Sequence, residues 1–271
     1  MTEDTRYVIR GGVQGRERLQ VLSRLMQPAT LALLQRAGVQ PGMVCLDVGC
    51  GSGDVAFDLA GIVGATGRVL GTDLDEKKIE LARNEAEARH LTNVEFRVAD
   101  ITRQEPDRGF DLVHARFILT HLSDPQSAVA GFWRALRPGG IVVVADIDFR
   151  GYFSYPECPA LSRYVDLYTR TVERRGGDAN IGPRLPGMLQ LGGFENVQMN
   201  LEQVAGMTGE VKIMSPLTME NIADAVIAEG LATAEQIDDI VAELYEFART
   251  PGTIASSPRF VEAWGTKPAS A

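Results

Sequence analysis

The sequence predicts an α/β protein, built as a doubly wound and mostly parallel sheet. Three observations carry that expectation. From residue 44 to residue 145, short apolar runs alternate with amphipathic stretches at helical spacing. Gly49, Gly51 and Gly53 mark the passage from the first run to the first of those helices. The run 141–145, Ile-Val-Val-Val-Ala, is the most apolar of all, as a central strand covered on both faces must be. Strand–helix repetition of this kind builds parallel pairing through right-handed crossovers.

In chain order, residues 16–26 and 29–37 carry Leu19, Leu22, Leu25 and Met26, then Leu31, Leu33 and Leu34, at helical spacing. Pro28 is expected to break or restart the helix between them. Pro41-Gly42 then turns the chain into a strand over Val44–Val48, followed by a helix over Asp54–Val63. Residues 68–72 read as a strand, 76–89 as a helix capped by Asp75, and 94–99 and 110–114 as strands. Asp124-Pro125 places an N-cap and a first-turn proline before a helix running to about 137, which Pro138-Gly139-Gly140 ends. Beyond Asp146 the pattern loosens: helices are expected over 159–175, 186–191, 219–230 and 235–248, and strands over 197–201 and 259–264.

Composition narrows the function classes. The 271 residues are 45% hydrophobic and 23% charged, with 36 acidic against 27 basic side chains and a net charge of −9. An acidic surface repels phosphate backbones and anionic lipids, so neither nucleic acid nor a membrane is the expected partner. No apolar run reaches the roughly 18 residues of a membrane span, and the polar start Met1-Thr2-Glu3-Asp4 shows no apolar signal region. A cytoplasmic location is the expectation. Cys45, Cys50 and Cys158 are too few for a disulfide framework, and three histidines argue against a metal site. Cys45 reads as core, and Cys50 as a small residue in a tight loop with no base beside it.

The glycine loop carries the first functional signal. Asp47-Val48-Gly49-Cys50-Gly51-Ser52-Gly53 lets the backbone turn sharply and leaves no Cβ between it and a ligand. The G-x-G-x-G spacing differs from the G-x-G-x-x-G of dinucleotide sites, and no Lys-Ser/Thr follows as a Walker-type phosphate loop requires. Twenty residues beyond Gly53, Asp73 ends the next strand, where a carboxylate can accept both hydroxyls of a ribose. Asp100 ends the third strand and can accept from an exocyclic amine, with Leu74 and Ile101 against the ring.

On these pieces the sequence resembles the class I S-adenosylmethionine-dependent methyltransferases. The matching segments are Leu46-Asp47-Val48-Gly49-Cys50-Gly51-Ser52-Gly53, Gly71-Thr72-Asp73, Val98-Ala99-Asp100-Ile101, Phe110-Asp111-Leu112-Val113 and Leu136-Arg137-Pro138-Gly139-Gly140. They occur in the family's order across roughly residues 40–150, nearest in look to bacterial small-molecule enzymes of the quinone-biosynthesis type. The resemblance implies S-adenosylmethionine as cofactor, the loop from Asp47 to Gly53 along its methionine and ribose, Asp73 on the ribose, and Asp100 and Ile101 beside the adenine. It also implies a seven-stranded sheet whose last strand is antiparallel, with 197–201 and 259–264 as strands six and seven. The expected division is a helical cap over 1–40, a cofactor-binding core over 41–205, a helical insertion over 206–252, and the last strand and tail over 253–271.

Methyl transfer from a sulfonium is an in-line displacement, so the protein mainly aligns the acceptor and excludes water. The acceptor is expected at the carboxyl ends of the strands. Candidates there are Arg116, for an anionic part of the acceptor or for the cofactor carboxylate; His121, as general base or packed histidine; and Asp148. Asp146 and Asp148 are read as pointing to opposite faces, so at most one faces the pocket, while Tyr152 and Tyr155 either line it or close a core. Gly11-Gly12, Gly15-Arg16 and Arg18 form a glycine and arginine cluster that either closes over the cofactor or serves as a flexible arm. Strand four lacks the Asn/Asp-Pro-Pro-Tyr/Phe continuation that relatives use for the planar amino groups of bases and glutamine, which argues against those substrates and agrees with the acidic charge. The expectation is a methyltransferase acting on a small-molecule acceptor. A homodimer is compatible with all of this. The competing readings are a protein of the same fold with a cyclising or regulatory role, and a nicotinamide-dependent oxidoreductase, disfavoured by the glycine spacing.

Overall fold

The structure, a computed structural model, describes residues 12–103 and 106–270, with side chains from Arg18 onward. The chain runs α1 (Gly12–Arg36), β1 (Val44–Val48), α2 (Asp54–Val63), β2 (Arg68–Asp73), α3 (Glu76–Ala88), β3 (Val94–Val98), β4 (Phe110–Arg116), α4 (Pro125–Ala135) and β5 (Leu136–Asp148). It continues through β6 (Ser154–Tyr155), α5 (Pro159–Arg174), α6 (Leu185–Leu191), β7 (Glu195–Glu202), β8 (Ala205–Gly206), α7 (Val211–Ala228), α8 (Ala234–Arg249), β9 (Ile254–Ser256) and β10 (Arg259–Thr266).

Seven strands form the main sheet in the order β3-β2-β1-β4-β5-β10-β7. The first five are parallel, and β10 runs antiparallel between β5 and β7. The expected doubly wound, mostly parallel, seven-stranded sheet is thus the observed one. Strand order reverses beside β1, the switch point where α/β sheets open a ligand crevice. β6, β9 and β8 make a separate three-stranded ribbon that the sequence pattern does not predict.

Alternation along the strands sorts side chains into two layers. Cys45, Leu112, Val143 and Ala145 pack with α2, α3 and the end of α1, while Leu46, Val48, Val113, Val142 and Val144 pack with α4 and α6. Fully burying one such leucine or valine contributes about 1.5–3 kcal/mol, so each layer is a substantial source of stability. A third core joins Ile147, Phe149 and Phe260 at the sheet's end to α5, α7 and α8, and Met26 of α1 packs into it.

Two expectations about helices fail for identifiable reasons. α1 continues through Pro28. That proline is exposed, as is Arg24 one turn earlier, whose carbonyl loses its N–H partner and can meet water, while Met26 and Leu33 on either side of the proline are buried. α7 begins at Val211 and carries Pro216 in its second turn, well ahead of the expected start at 219. Its periodicity was masked because it is buried almost all round, from Val211 and Met214 to Val226. The caps Asp75 and Asp124 do act as read: Asp75 accepts from the Lys77 and Lys78 N–H groups, and Asp124 from that of Ser127.

Candidate functional site

The glycine loop joins β1 to α2 by three residues in left-handed conformations, Gly49 at φ 68°, Gly51 at 55° and Gly53 at 93°. Their reasons differ. A Cβ on Gly49 would stand 2.2 Å from the Ile118 Cγ2, so the chain after β4 lies directly on the loop. A Cβ on Gly53 would meet the rings of Phe96 and Phe57 at 2.8 and 3.0 Å. A Cβ on Gly51 would meet nothing within 4 Å. Gly49 and Gly53 therefore serve packing, and Gly51 leaves open space above the backbone, as a ligand-facing turn does.

Asp73 ties this loop to β2. Its Oδ2 accepts from the Gly51 N–H at 2.9 Å and its Oδ1 from the Asp75 N–H at 2.9 Å. The carboxylate is thereby oriented beside the open position, with lone pairs to spare for hydroxyl donors. Leu74, next along the chain, is 52% exposed, an apolar surface at the crevice edge. Across from it, Asp100 is held by its own turn, accepting from the Thr102 N–H at 2.9 Å and hydroxyl at 2.6 Å, with Arg103 at 3.5 Å. Ile101 packs against α4, where its carbonyl comes within 2.7 Å of the Cβ position of Gly131.

Asp47 is 1% exposed and lies in register with His114 across the β1–β4 pair. Asp47 Oδ1 and His114 Nδ1 are 2.7 Å apart. Among the described residues, Asp47 Oδ2 and His114 Nε2 have no hydrogen-bond partner. Buried polar atoms are nearly always satisfied, so an orphaned pair at this loop is a mark of a ligand site. The pairing of His114 with Asp47 is a feature that the sequence reading missed. The available signal was a polar residue interrupting two apolar runs at matching register.

Arg116 follows His114 on the same face and donates to the Thr30 Oγ1 of α1 at 2.7 Å. Burial lowers its pKa, against the attraction of Asp47, Asp54 and Asp58. Asp54 and Asp58, on the first two turns of α2, have their own pKa raised by burial, and Gln27 of α1 donates to Asp58 at 2.9 Å. A polar seam thus holds α1 over the loop end of α2 and β4. Of the early glycine and arginine cluster, Gly11 lies outside the described residues, as does the Arg16 side chain, and Gly12 and Gly15 belong to α1.

The three residues considered for catalysis separate. His121 closes a one-turn 3₁₀ helix, Leu119–His121, just beyond β4. Burial pushes its imidazole down to about 3, with Lys78 and Arg18 adding to the shift, so it is neutral and a weak proton acceptor. Asp148 is clamped between two guanidiniums, Arg150 at 2.8 Å and Arg259 at 2.9 Å, and joins β5 to β10. Asp146 and Asp148 do not oppose each other: a strand repeats every two residues, so both follow Val142 and Val144 on the face covered by α4 and α6. Burial drives the Cys50 thiol strongly up, which holds it protonated and poorly nucleophilic. Among the described residues no cluster suits a metal ion, and no helix is long and apolar enough to cross a membrane.

Comparison with known proteins meets this geometry. A family model described as a methyltransferase domain matches residues 39–176. The chain is 33% identical over 150 residues to ubiquinone/menaquinone biosynthesis C-methyltransferase UbiE of Ectopseudomonas mendocina, covering 55% of each. It is 30% identical over 169 residues to phosphoethanolamine N-methyltransferase 1 of Arabidopsis thaliana, 62% of this chain and 32% of that one. A crystal structure from Bacillus halodurans, assigned to the methyltransferases, superposes with a TM-score of 0.61 at 20% identity, over 88% of this chain and 98% of its own. The chain spans about half the length of the curated relatives it matches.

Proposed function

From the premise that this chain belongs to the methyltransferase-domain family, we propose that it moves a methyl group from S-adenosylmethionine to a small-molecule acceptor. The observation that carries this is the cradle at Gly51, open above its Cα and bordered by the fixed carboxylate of Asp73. The residues present fit the cofactor: an oriented acceptor for ribose hydroxyls, an exposed leucine for a ring face, and an unsatisfied buried carboxylate oxygen on Asp47 for an ammonium.

In this reading the loop from Asp47 to Gly53 lines the methionine and ribose, Asp73 holds the ribose, and Leu74, Asp100 and Ile101 flank the adenine. When bound, the cofactor supplies an electrophilic methyl on a sulfonium. What the protein adds is alignment and exclusion of water. His114 fixes the carboxylate of Asp47, Arg116 locks α1 at the loop, and α1 with α7 covers the strand ends. His121, neutral and weakly basic, positions the acceptor by a hydrogen bond rather than removing its proton. The clamped Asp148 serves the scaffold. Relatives named for carbon and for nitrogen methylation share the same core, so the acceptor atom is set by the cap and not by the loop.

Incubation of the chain with methyl-labelled S-adenosylmethionine and a panel of phenolic, carboxylic and amine acceptors tests this. Label transfer to a small molecule is the expected result. Cofactor binding with no transfer to any class of acceptor would favour a non-methylating role.

A further inference from the structure

The cap carries a buried cation that the cofactor reading does not use. Arg18, on α1, is 7% exposed. Its Nε donates to the Thr218 Oγ1 of α7 at 3.0 Å, and that hydroxyl in turn donates to the Met214 carbonyl at 2.7 Å. A hydroxyl bonded in this way offers a lone pair but no negative charge. Among the described residues no carboxylate pairs with Arg18. A guanidinium taken out of water without a counter-charge is costly, and such groups are retained where an anion joins them.

The surroundings are polar on one side and aromatic on the other. The hydroxyls of Tyr152 and Tyr164 lie 3.5 Å apart, and Leu22, one turn along α1 from Arg18, packs against the same apolar cluster as both rings. The charge of Arg18 works against the burial that raises both phenols and adds to the lowering of His121. Behind them Phe149 and Tyr168 stack at 3.9 Å with planes 10° apart. One turn beyond Thr218, Asn221 is 5% exposed, spends its Nδ2 on the Leu217 carbonyl at 2.8 Å, and has no partner for Oδ1 among the described residues. Residues three apart share a helix face, so this orphaned acceptor sits on the side of α7 that meets Arg18.

The cluster also borders the crevice. His121 follows Ile118, whose side chain rests on Gly49, and the Phe117 and Thr120 N–H groups bond to Ala145 and Asp146 at the end of β5. It therefore lies between the strand ends and the cap helices, where an acceptor must sit.

We propose that Arg18, Thr218, Tyr152, Tyr164 and His121 form the acceptor subsite, and that Arg18 receives an anionic oxygen group, a carboxylate or phosphate, on a ring-bearing acceptor. This rests on the methyl-transfer reading and adds the acceptor's chemistry to it. The anion serves as the anchor: it neutralises Arg18, and the tyrosine hydroxyls complete its hydrogen bonds. A purely cationic acceptor is repelled by Arg18 and by Lys78, both of which lower the pKa of His121.

The test is a ligand-observed NMR titration of the full chain, loaded with S-adenosylhomocysteine, using benzoate and the isosteric neutral benzamide. Benzoate is expected to bind about tenfold or more tightly, the scale of one charged hydrogen bond. Arg18→Gln is expected to abolish that preference while leaving affinity for S-adenosylhomocysteine essentially unchanged, with Arg18→Lys intermediate. Equal binding of the two probes to the wild-type chain overturns the proposal without any variant. Loss of S-adenosylhomocysteine affinity in Arg18→Gln also overturns it, by assigning Arg18 to the cofactor's carboxylate. Failure of the wild-type chain to bind S-adenosylhomocysteine would instead remove the methyl-transfer reading, and the subsite with it.

Discussion

His114 Nδ1 and Asp47 Oδ1 meet at 2.7 Å across the β1–β4 pair, with both side chains almost wholly buried. Their register is a consequence of the sheet: Cys45 pairs with Leu112 in one layer, so Asp47 must pair with His114 two residues on. Removing one partner strands the other in a medium that cannot solvate it. His114→Leu is expected to destabilise the fold by about 3–5 kcal/mol, and the double change with Asp47→Leu to recover a large part of that. A urea-denaturation double-mutant cycle checks this; additive losses would mean the two side chains do not interact.

Gly49 and Gly51 make opposite predictions from one substitution. Gly49→Ala drives a methyl into Ile118 and is expected to lower stability by about 2–4 kcal/mol, combining overpacking with the left-handed backbone. Gly51→Ala meets no neighbour, so only the backbone cost of about 1–2 kcal/mol applies. Its methyl occupies the cradle, and S-adenosylhomocysteine affinity is expected to fall by about tenfold or more, more than the stability change accounts for. Thermal melts beside calorimetry separate the two effects. Unimpaired binding by a folded Gly51→Ala would move the cofactor away from the loop.

Asp73→Asn keeps the shape of the side chain but gives up the charge that orients two backbone N–H groups. Cofactor affinity is expected to fall by about 1–3 kcal/mol, the scale of a charged hydrogen bond. Calorimetry reads this directly, and an unchanged affinity would take Asp73 out of the site.

Asp146 predicts a pH dependence of stability. Burial pushes its carboxyl up to about 7, although the N–H groups of Ile147, Thr120 and Leu119 pull the other way. A carboxyl with a folded pKa above its unfolded one holds a proton that the unfolded chain releases. Its contribution is therefore full below the unfolded pKa, near 4, and is lost as pH rises through about 7. Wild-type stability is expected to fall relative to Asp146→Asn across pH 4–7, by up to about 1.4 kcal/mol per unit. Parallel stability–pH curves for the two proteins would contradict this.

How much of this was legible in the sequence depends on the range of the interaction. Short apolar runs and local caps predict β1, β2, β4, α3 and α4, because adjacent residues decide them. The glycine spacing and Asp73 pointed to the crevice for the same reason: loop and strand end lie within one strand–helix–strand unit. The continuity of α1 past Pro28 was hidden, since it follows from α1 packing against partners as distant in sequence as Thr218 and Glu210. The fate of Asp148 was equally hidden. Its second guanidinium, Arg259, comes from a strand more than a hundred residues later. The acceptor subsite shares this problem, since Arg18, His121, Tyr164 and Thr218 come from four separate elements.

The most direct test of the central claim is isothermal titration of the intact chain with S-adenosylhomocysteine and, separately, with NAD. The geometry at Gly51 and Asp73 predicts saturable one-to-one binding of S-adenosylhomocysteine and none of NAD. Saturation by NAD, with no heat from S-adenosylhomocysteine, would contradict it.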